Sequence, residues 1–63
     1  MKRRQIIKAI LKAGYKWSRG DGDHDIFEKE GAPPLQVPRH REINNNTARK
    51  ILDVAGIKEL LKR

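Results

Sequence analysis

The absence of cysteine most constrains how this chain folds, because the sequence is only 63 residues long. A chain of this size hides only about 60% of the surface that its unfolded form exposes. Domains with so thin a core are often braced by disulfides or by cysteine-bound metals, and neither is available here. We therefore expect one small domain over residues 1–63, held together by helix–sheet packing and suited to the reducing cytoplasm.

The chain is strongly basic, which favours a polyanion, and nucleic acid first, as its partner. Fifteen Lys and Arg residues against eight Asp and Glu residues give a net charge of +7. Solubility alone is a weaker explanation for this charge. Membrane binding is weaker still, because no apolar run approaches the roughly 20 residues that span a bilayer. Gln5 and Lys8 interrupt the apolar residues after the basic start, so we expect no signal peptide.

Apolar residues at helical spacing predict one helix near each end of the chain. The first spans residues 2–13 and ends at Gly14. The second begins where residues 44–47 supply capping oxygens, and it ends at Gly56. A short further turn of helix is predicted over residues 57–61. The apolar stripes consist of Ile6, Ile7, Ile10 and Leu11 in the first helix and of Ala48, Ile51, Leu52 and Ala55 in the second.

Between the helices, alternating apolar and polar residues predict three short antiparallel strands. The first contains Tyr15 and Trp17, whose rings we expect in the core. The second spans residues 23–29, and the third covers residues 35–37 and ends at Pro38. Turn residues separate the strands at Gly20-Asp21-Gly22 and from Glu30 to Pro34. The order predicts an α+β fold in which both helices cover one face of the sheet and the other face stays in water.

His24 is the best-placed candidate for acid–base chemistry. The chain has two histidines and no thiol, and histidine is the side chain that ordinarily changes charge near neutral pH. His24 lies three residues from Phe27 in the second strand, so the two side chains face opposite sides of the sheet. If Phe27 packs beneath the helices, His24 can meet a substrate on the open face. A surface histidine without a role is the alternative.

Alternating aspartates near this histidine resemble the start of a calcium-binding loop, but the pattern then breaks. Such a loop that starts at Asp21 needs Gly at its sixth position and Glu at its twelfth, where this chain has Ile26 and Ala32. We therefore expect neither a metal nor another cofactor. Asp21 and Asp23 are expected to accept hydrogen bonds from local backbone amides in the turn.

Basic side chains near the predicted strands are candidates for contacts with phosphate groups. Three of them follow the third strand directly, and one of these, His40, is an alternative second acid–base partner for His24. The candidates are Lys16, Arg19, Lys29, Arg39, His40 and Arg41.

Four segments, in this order and spacing, resemble the HicA family of toxin ribonucleases. They cover residues 6–15, 22–27, 37–40 and 47–57. The resemblance implies a reduced double-stranded-RNA-binding fold of helix, three strands and helix. It also maps the family's Gly-x-His signature onto Gly22, Asp23 and His24. His24 is then the catalytic histidine and Gly22 shapes its turn, whereas Asp23 replaces the more common Ser or Asn.

The same resemblance implies a toxin of a type II toxin–antitoxin system. Such a toxin cleaves mRNA by metal-independent histidine catalysis and is neutralised by a HicB-type antitoxin protein. Two alternatives stay open. The first is an RNA-binding module in which His24 is incidental. The second is a DNA-binding helix–turn–helix over residues 46–62, although the strand-like segments before it weigh against that.

Overall fold

Two helices and a three-stranded sheet follow one another in the predicted order. The computed structural model describes residues 1–57. Its elements are α1 (Arg3–Lys12), β1 (Lys16–Asp21), β2 (His24–Glu28), β3 (Leu35–Pro38) and α2 (Asn45–Val54). The predicted α+β fold is therefore confirmed. No helix within the described residues is long and apolar enough to cross a membrane.

The sheet is an antiparallel meander with β2 in its centre, and the pairing fixes which side chains share a face. Phe27 stands opposite Leu35 on one side and opposite Trp17 on the other. Directly paired residues project from the same face, and we call this one the inner face. A bulge between Trp17 and Arg19 shifts the register of β1. Arg19 therefore stands opposite Ile26 on the second face, which we call the outer face.

The hydrophobic core lies between the inner face and both helices. Ile6 and Ile10 of α1 are fully buried, and Ala48 and Ile51 of α2 join the same cluster. The other members come from the strands and loops and are Tyr15, Phe27, Leu35, Val37 and Ile43. Because one cluster unites both helices with the sheet, the two helices cover the same face, as predicted.

The aromatic residues at the start of the sheet differ in their burial. Tyr15 is only 2% exposed, and its hydroxyl donates a hydrogen bond to the Pro33 carbonyl (3.3 Å). Trp17 is 59% exposed, so the prediction that its ring lies in the core is wrong. The reason is the placement of the helices across the sheet. Helix α2 packs on β3 and α1 packs beside α2, which leaves the opposite edge strand, β1, uncovered.

The turn between β1 and β2 begins two residues later than predicted. Strand β1 continues through Gly20 and Asp21, and the two-residue loop consists of Gly22 and Asp23. Gly22 has a φ of 61°, whereas Asp23, like every described residue other than glycine, does not have a positive φ. This combination is typical of a type II′ hairpin turn. Contrary to prediction, neither the Asp21 nor the Asp23 side chain accepts a hydrogen bond within residues 1–57. Instead, the Asp23 carbonyl accepts one from the Arg39 amide (2.9 Å).

The segment after β3 is hydrogen-bonded to the start of α1. The Arg3 amide donates to the Arg41 carbonyl (2.9 Å), and the Ile43 amide donates to the Met1 carbonyl (2.8 Å). This pairing brings the basic segments 2–4 and 39–41 together, at the same end of the sheet as the β1–β2 turn.

The ends of α2 agree with the predicted signals. The Asn44 side chain accepts a hydrogen bond from the Asn46 amide (2.8 Å) and caps the first turn. The helix ends just before Gly56, and the Ile57 amide closes it on the Leu52 carbonyl (2.8 Å). The further turn predicted over residues 57–61 lies outside the described residues except for Ile57, as does most of the second helix that a helix–turn–helix needs.

We predict that Ile10→Ala lowers the free energy of unfolding by about 2–5 kcal/mol, because it leaves a cavity beneath the sheet. The milder Ile10→Val should cost about 0.5–1.5 kcal/mol. Leu11 follows on the same helix but is 49% exposed, so Leu11→Ala should change stability by only about 0.5 kcal/mol. Urea denaturation of the three variants measures these differences. A larger loss for Leu11→Ala than for Ile10→Ala would contradict the assignment of the core.

Candidate functional site

His24 opens β2 on the outer face of the sheet. Because Phe27 lies in the core, strand alternation places His24 on the opposite face, as expected from the sequence. His24 is half-buried, and its backbone stands between Asp21 of β1 and Pro38 of β3. Neighbouring strands on both sides therefore hold the backbone of His24 in place.

The outer face carries basic side chains around one buried apolar residue. Lys16 and Arg19 are exposed and, by their register, share this face with His24. The Arg19 guanidinium lies 3.8 Å from the Glu28 carboxylate in an exposed ion pair. Ile26 is only 3% exposed. The outer face is thus charged at its edges, but the prediction that it stays wholly in water is wrong, because Ile26 is buried there.

The inner face carries a polar cluster centred on Asp25, which we call the Asp25 cluster. Its Oδ2 lies 2.5 Å from Nη2 of Arg3, and its Oδ1 lies 3.0 Å from Nη2 of Arg39. Nε1 of Trp17 donates a hydrogen bond to the same Oδ1 (3.0 Å). Nε of Arg3 also donates to the Pro38 carbonyl (2.9 Å). The Asp25 cluster thereby joins the start of α1, the edge strand, the central strand and the segment after β3.

These contacts keep Asp25 ionised. The hydrogen bond from Trp17 is the largest cause that lowers the pKa of Asp25, followed by the hydrogen bond from Arg39. The positive charges of Arg39 and Arg3 lower the pKa further, whereas partial desolvation opposes the shift. The carboxylate side chain is 14% exposed, so its charge is largely satisfied by protein groups rather than by water.

Arg39 reaches Asp25 by passing over Gly20. Gly20 stands opposite Asp25 in the β1–β2 ladder, and a Cβ at this position would overlap Nη2 of Arg39. The missing side chain opens the path for the guanidinium. Sequence reasoning assigned Gly20 to the turn, but its structural role is this close approach.

Four basic side chains line an open concavity of about 560 Å³ at the start of α1, which we call the basic concavity: Lys2, Arg3, Arg4 and Arg41. The first turn of α1 contains no acidic residue, and a helix N-terminus itself carries partial positive charge. Arg3 belongs to both the basic concavity and the Asp25 cluster, so the two features adjoin. Concentrated positive charge of this kind attracts phosphate groups.

The structure divides the basic residues predicted from the sequence among different places. Arg39 belongs to the Asp25 cluster and Arg41 to the basic concavity. Lys29 lies at the end of β2 remote from the turn, with its ammonium 5.8 Å from the centre of the Tyr15 ring. It is therefore not brought together with His24.

His40 is exposed and follows β3 by two residues. Within the described residues, no hydrogen bond joins it to His24, so its role as a second acid–base group stays a prediction. In the same part of the chain, no three His, Cys, Asp or Glu side chains are grouped to hold a metal ion.

Sequence reasoning missed several residues of this region, namely Lys2, Arg3, Arg4, Trp17 and Asp25. One signal could have pointed to the first three. Cations at the N-terminus of a helix oppose its dipole and cost stability, so a basic run at that position indicates a use in binding. The contacts of Asp25 had no comparable signal, because Arg3 lies 22 residues and Arg39 lies 14 residues from Asp25 in the sequence.

Comparison with known proteins identifies the family. Residues 3–57 match the model of a family described as the HicA toxin of bacterial toxin–antitoxin. The chain belongs to the HicA toxin family. The resemblance inferred from four segments of the sequence is thus confirmed. A comparison with curated protein sequences gives no match.

The fold of this HicA toxin is also similar to a chain of known structure. That structure is described as a toxin–antitoxin complex from Streptococcus pneumoniae. The two chains are 33% identical with a TM-score of 0.79, and the match covers 89% of this chain and 97% of the other. The similarity extends over most of both chains, and it supports the same family assignment.

We predict that Asp25→Asn destabilises the HicA toxin near neutral pH and weakens the dependence of its stability on acid. The pKa of Asp25 is lower in the folded protein than in the unfolded chain, where it is about 3.9. The ionised carboxylate therefore stabilises the fold above that pH, and this contribution is lost as the pH falls through the folded-state pKa. Urea denaturation at several pH values between about 7 and 2.5 measures the effect.

The wild-type protein should lose free energy of unfolding below about pH 5, and Asp25→Asn should lose less over the same range. Asp21→Asn is the matched control, because Asp21 is an exposed carboxylate of β1. An equal weakening of the acid dependence in both variants would contradict a special role for Asp25.

Proposed function

We propose that this HicA toxin is an endoribonuclease that cleaves mRNA, with His24 as its catalytic group. The position of His24 is the observation that carries the proposal. The side chain lies on the outer face of a strongly basic protein, held by a ladder of strands and placed directly after the Gly22-Asp23 turn. A histidine in this setting combines access to a polyanion with a backbone that the sheet holds in place.

The proposed reaction uses the 2′-hydroxyl of RNA as its nucleophile. The 2′-oxygen attacks the adjacent phosphorus while the bond from phosphorus to the 5′-oxygen breaks. The products are a 2′,3′-cyclic phosphate and a free 5′-hydroxyl. An imidazole can take the proton from the 2′-hydroxyl, or an imidazolium can give one to the leaving 5′-oxygen. One such group accelerates a reaction by roughly 10²- to 10⁴-fold, and His24 would supply it without a metal ion.

Cations near His24 would stabilise the charge that develops on the phosphate in the transition state. Arg19 lies on the same outer face opposite Ile26, two residues along β2 from His24, whereas Lys16 pairs with Glu28 at the remote end of the sheet. Arg39 directly follows Pro38, which pairs with His24. The basic concavity offers a further place for phosphates of the same RNA strand, because Arg3 links it to the end of β3, where Pro38 pairs with His24.

An antitoxin of the HicB type is the proposed protein partner. A basic ribonuclease free in the cytoplasm would cut the messages of its own cell, so a protein that covers the outer face would be needed. The matched chain of known structure comes from a toxin–antitoxin complex, which supports a similar partner for this toxin. The proposal places the toxin in the cytoplasm, where its mRNA substrate is.

We predict that His24→Ala lowers the rate of cleavage of a long single-stranded RNA by about 10²-fold or more, because the acid–base group is removed. The assay uses purified protein in excess chelator, and the product ends are analysed for cyclic phosphate and 5′-hydroxyl groups. A DNA strand of the same sequence should not be cut, because it lacks the 2′-hydroxyl. His40→Ala, assayed in parallel with a pH–rate profile, measures whether a second histidine takes part.

Three other results of this assay would each contradict a part of the proposed function. Equal cleavage by wild type and His24→Ala would assign the chemistry to another group. Cleavage that chelator abolishes would contradict the metal-independent mechanism. Binding of RNA by both proteins without cleavage by either would favour the RNA-binding module over the nuclease.

A further inference from the structure

We propose that the indole of Trp17 is a platform on which a base of single-stranded RNA stacks. This inference rests on the proposed function, and it deepens that function by naming the part of the substrate that meets the inner side of the sheet.

The indole is exposed where a folded chain would ordinarily bury it. Among the described residues, three large apolar side chains are exposed, namely Leu11, Trp17 and Val54. Leu11 and Val54 lie on the helices, so Trp17 is the one on the sheet. It lies on edge strand β1, which neither helix covers. Every nucleobase has an apolar face, and stacking on an aromatic side chain is a common way to bind single strands without sequence preference.

The orientation of the ring is already fixed. Nε1 is the only hydrogen-bond donor of an indole, and here it donates to Oδ1 of Asp25 (3.0 Å). Asp25 is in turn held by Arg3 and Arg39. With its polar atom engaged, the indole has only its apolar surface left for a ligand. A ring that is ordered beforehand also loses less conformational freedom when it binds.

Positive charge accompanies the exposed ring. Nη2 of Arg39 and Nε1 of Trp17 lie at the same distance, 3.0 Å, from one carboxylate oxygen, so the guanidinium adjoins the indole. Arg3 continues this charge into the basic concavity. Two arginines on one aspartate leave a net positive charge. An aromatic platform beside cations that follow a phosphate backbone is the combination that single-strand binding requires.

The platform also lies close enough to His24 to bind the same RNA strand. Trp17 and Asp21 lie on β1, and Asp21 pairs with His24. Four residues of strand extend over roughly 13 Å. The stacked base would thus belong to a nucleotide only a few positions from the phosphate that reacts, with the strand passing around the edge of the sheet.

The fluorescence of Trp17 provides a direct test, because the chain contains one tryptophan. The probe is a short 2′-O-methyl oligoadenylate, which lacks the nucleophilic hydroxyl and cannot be cleaved by the proposed reaction. Its matched control is an oligomer of equal length and charge without bases. We expect the intact oligomer to quench the emission and to bind roughly 5- to 150-fold more tightly than the abasic one.

Variants separate stacking from general binding, with affinities measured by competition or anisotropy. Trp17→Leu should lose most of the preference for the intact oligomer, and Trp17→Phe should retain part of it. Asp25→Ala frees Nε1 and should reduce the preference while the ring remains, as expected for a positioning residue. Leu11→Ala, on α1, should bind like the wild type. Circular dichroism confirms that each variant is folded.

Two outcomes would overturn the proposal. In the first, the wild-type toxin binds the intact and abasic oligomers equally. In the second, Trp17→Leu keeps the preference for bases; if that variant also no longer binds an antitoxin protein, the indole is assigned to a protein interface.

The two proposals fail separately. A toxin that cleaves RNA with His24 but does not distinguish the two oligomers retains the nuclease and loses the platform. A toxin that distinguishes them without cleaving RNA retains the platform and loses the nuclease.

Discussion

The ion pair between Arg3 and Asp25 joins the start of the first helix to the central strand of the sheet. Arg3 is the first residue of α1, and Asp25 lies on the central strand at the edge of the hydrophobic core. The same guanidinium also donates to the Pro38 carbonyl at the end of β3. In a protein with so small a core, these bonds help to fix where the helix begins relative to the sheet, together with the backbone hydrogen bonds between residues 1–3 and the segment after β3. The basic concavity and the position of Arg39 both depend on that placement.

The architecture places two sets of polar side chains on opposite faces of a three-stranded sheet. The outer face presents His24 with Lys16 and Arg19, and the inner side presents the Asp25 cluster beyond the end of the core. Edge strand β1 borders both. In the proposed function, an RNA strand that follows this edge meets both His24 and the cations of the inner side.

Local patterns were sufficient to predict most of the fold. The spacing of Ile6 and Ile10 defines the buried side of α1, and the three-residue separation of His24 and Phe27 places the histidine on the outer face. Trp17 has the same alternation as Tyr15, yet its burial depends on how far the helices extend across the sheet. How far the helices extend across the sheet is decided only by packing between elements that are distant in the sequence. The contacts of Asp25 were inaccessible for the same reason, since they join residues far apart in the sequence.

The bulge after Trp17 has a consequence for how this protein behaves at high concentration. A regular edge strand presents a row of free backbone groups that can pair with the edge of another molecule and start aggregation. In β1 the bulge interrupts that row, and the exposed Lys16 and Arg19 add like charges that repel a second copy. On the opposite edge, β3 is only four residues long and ends in Pro38, which cannot donate a hydrogen bond. Both borders of the sheet therefore discourage self-association while leaving the chain open to ligands of opposite charge.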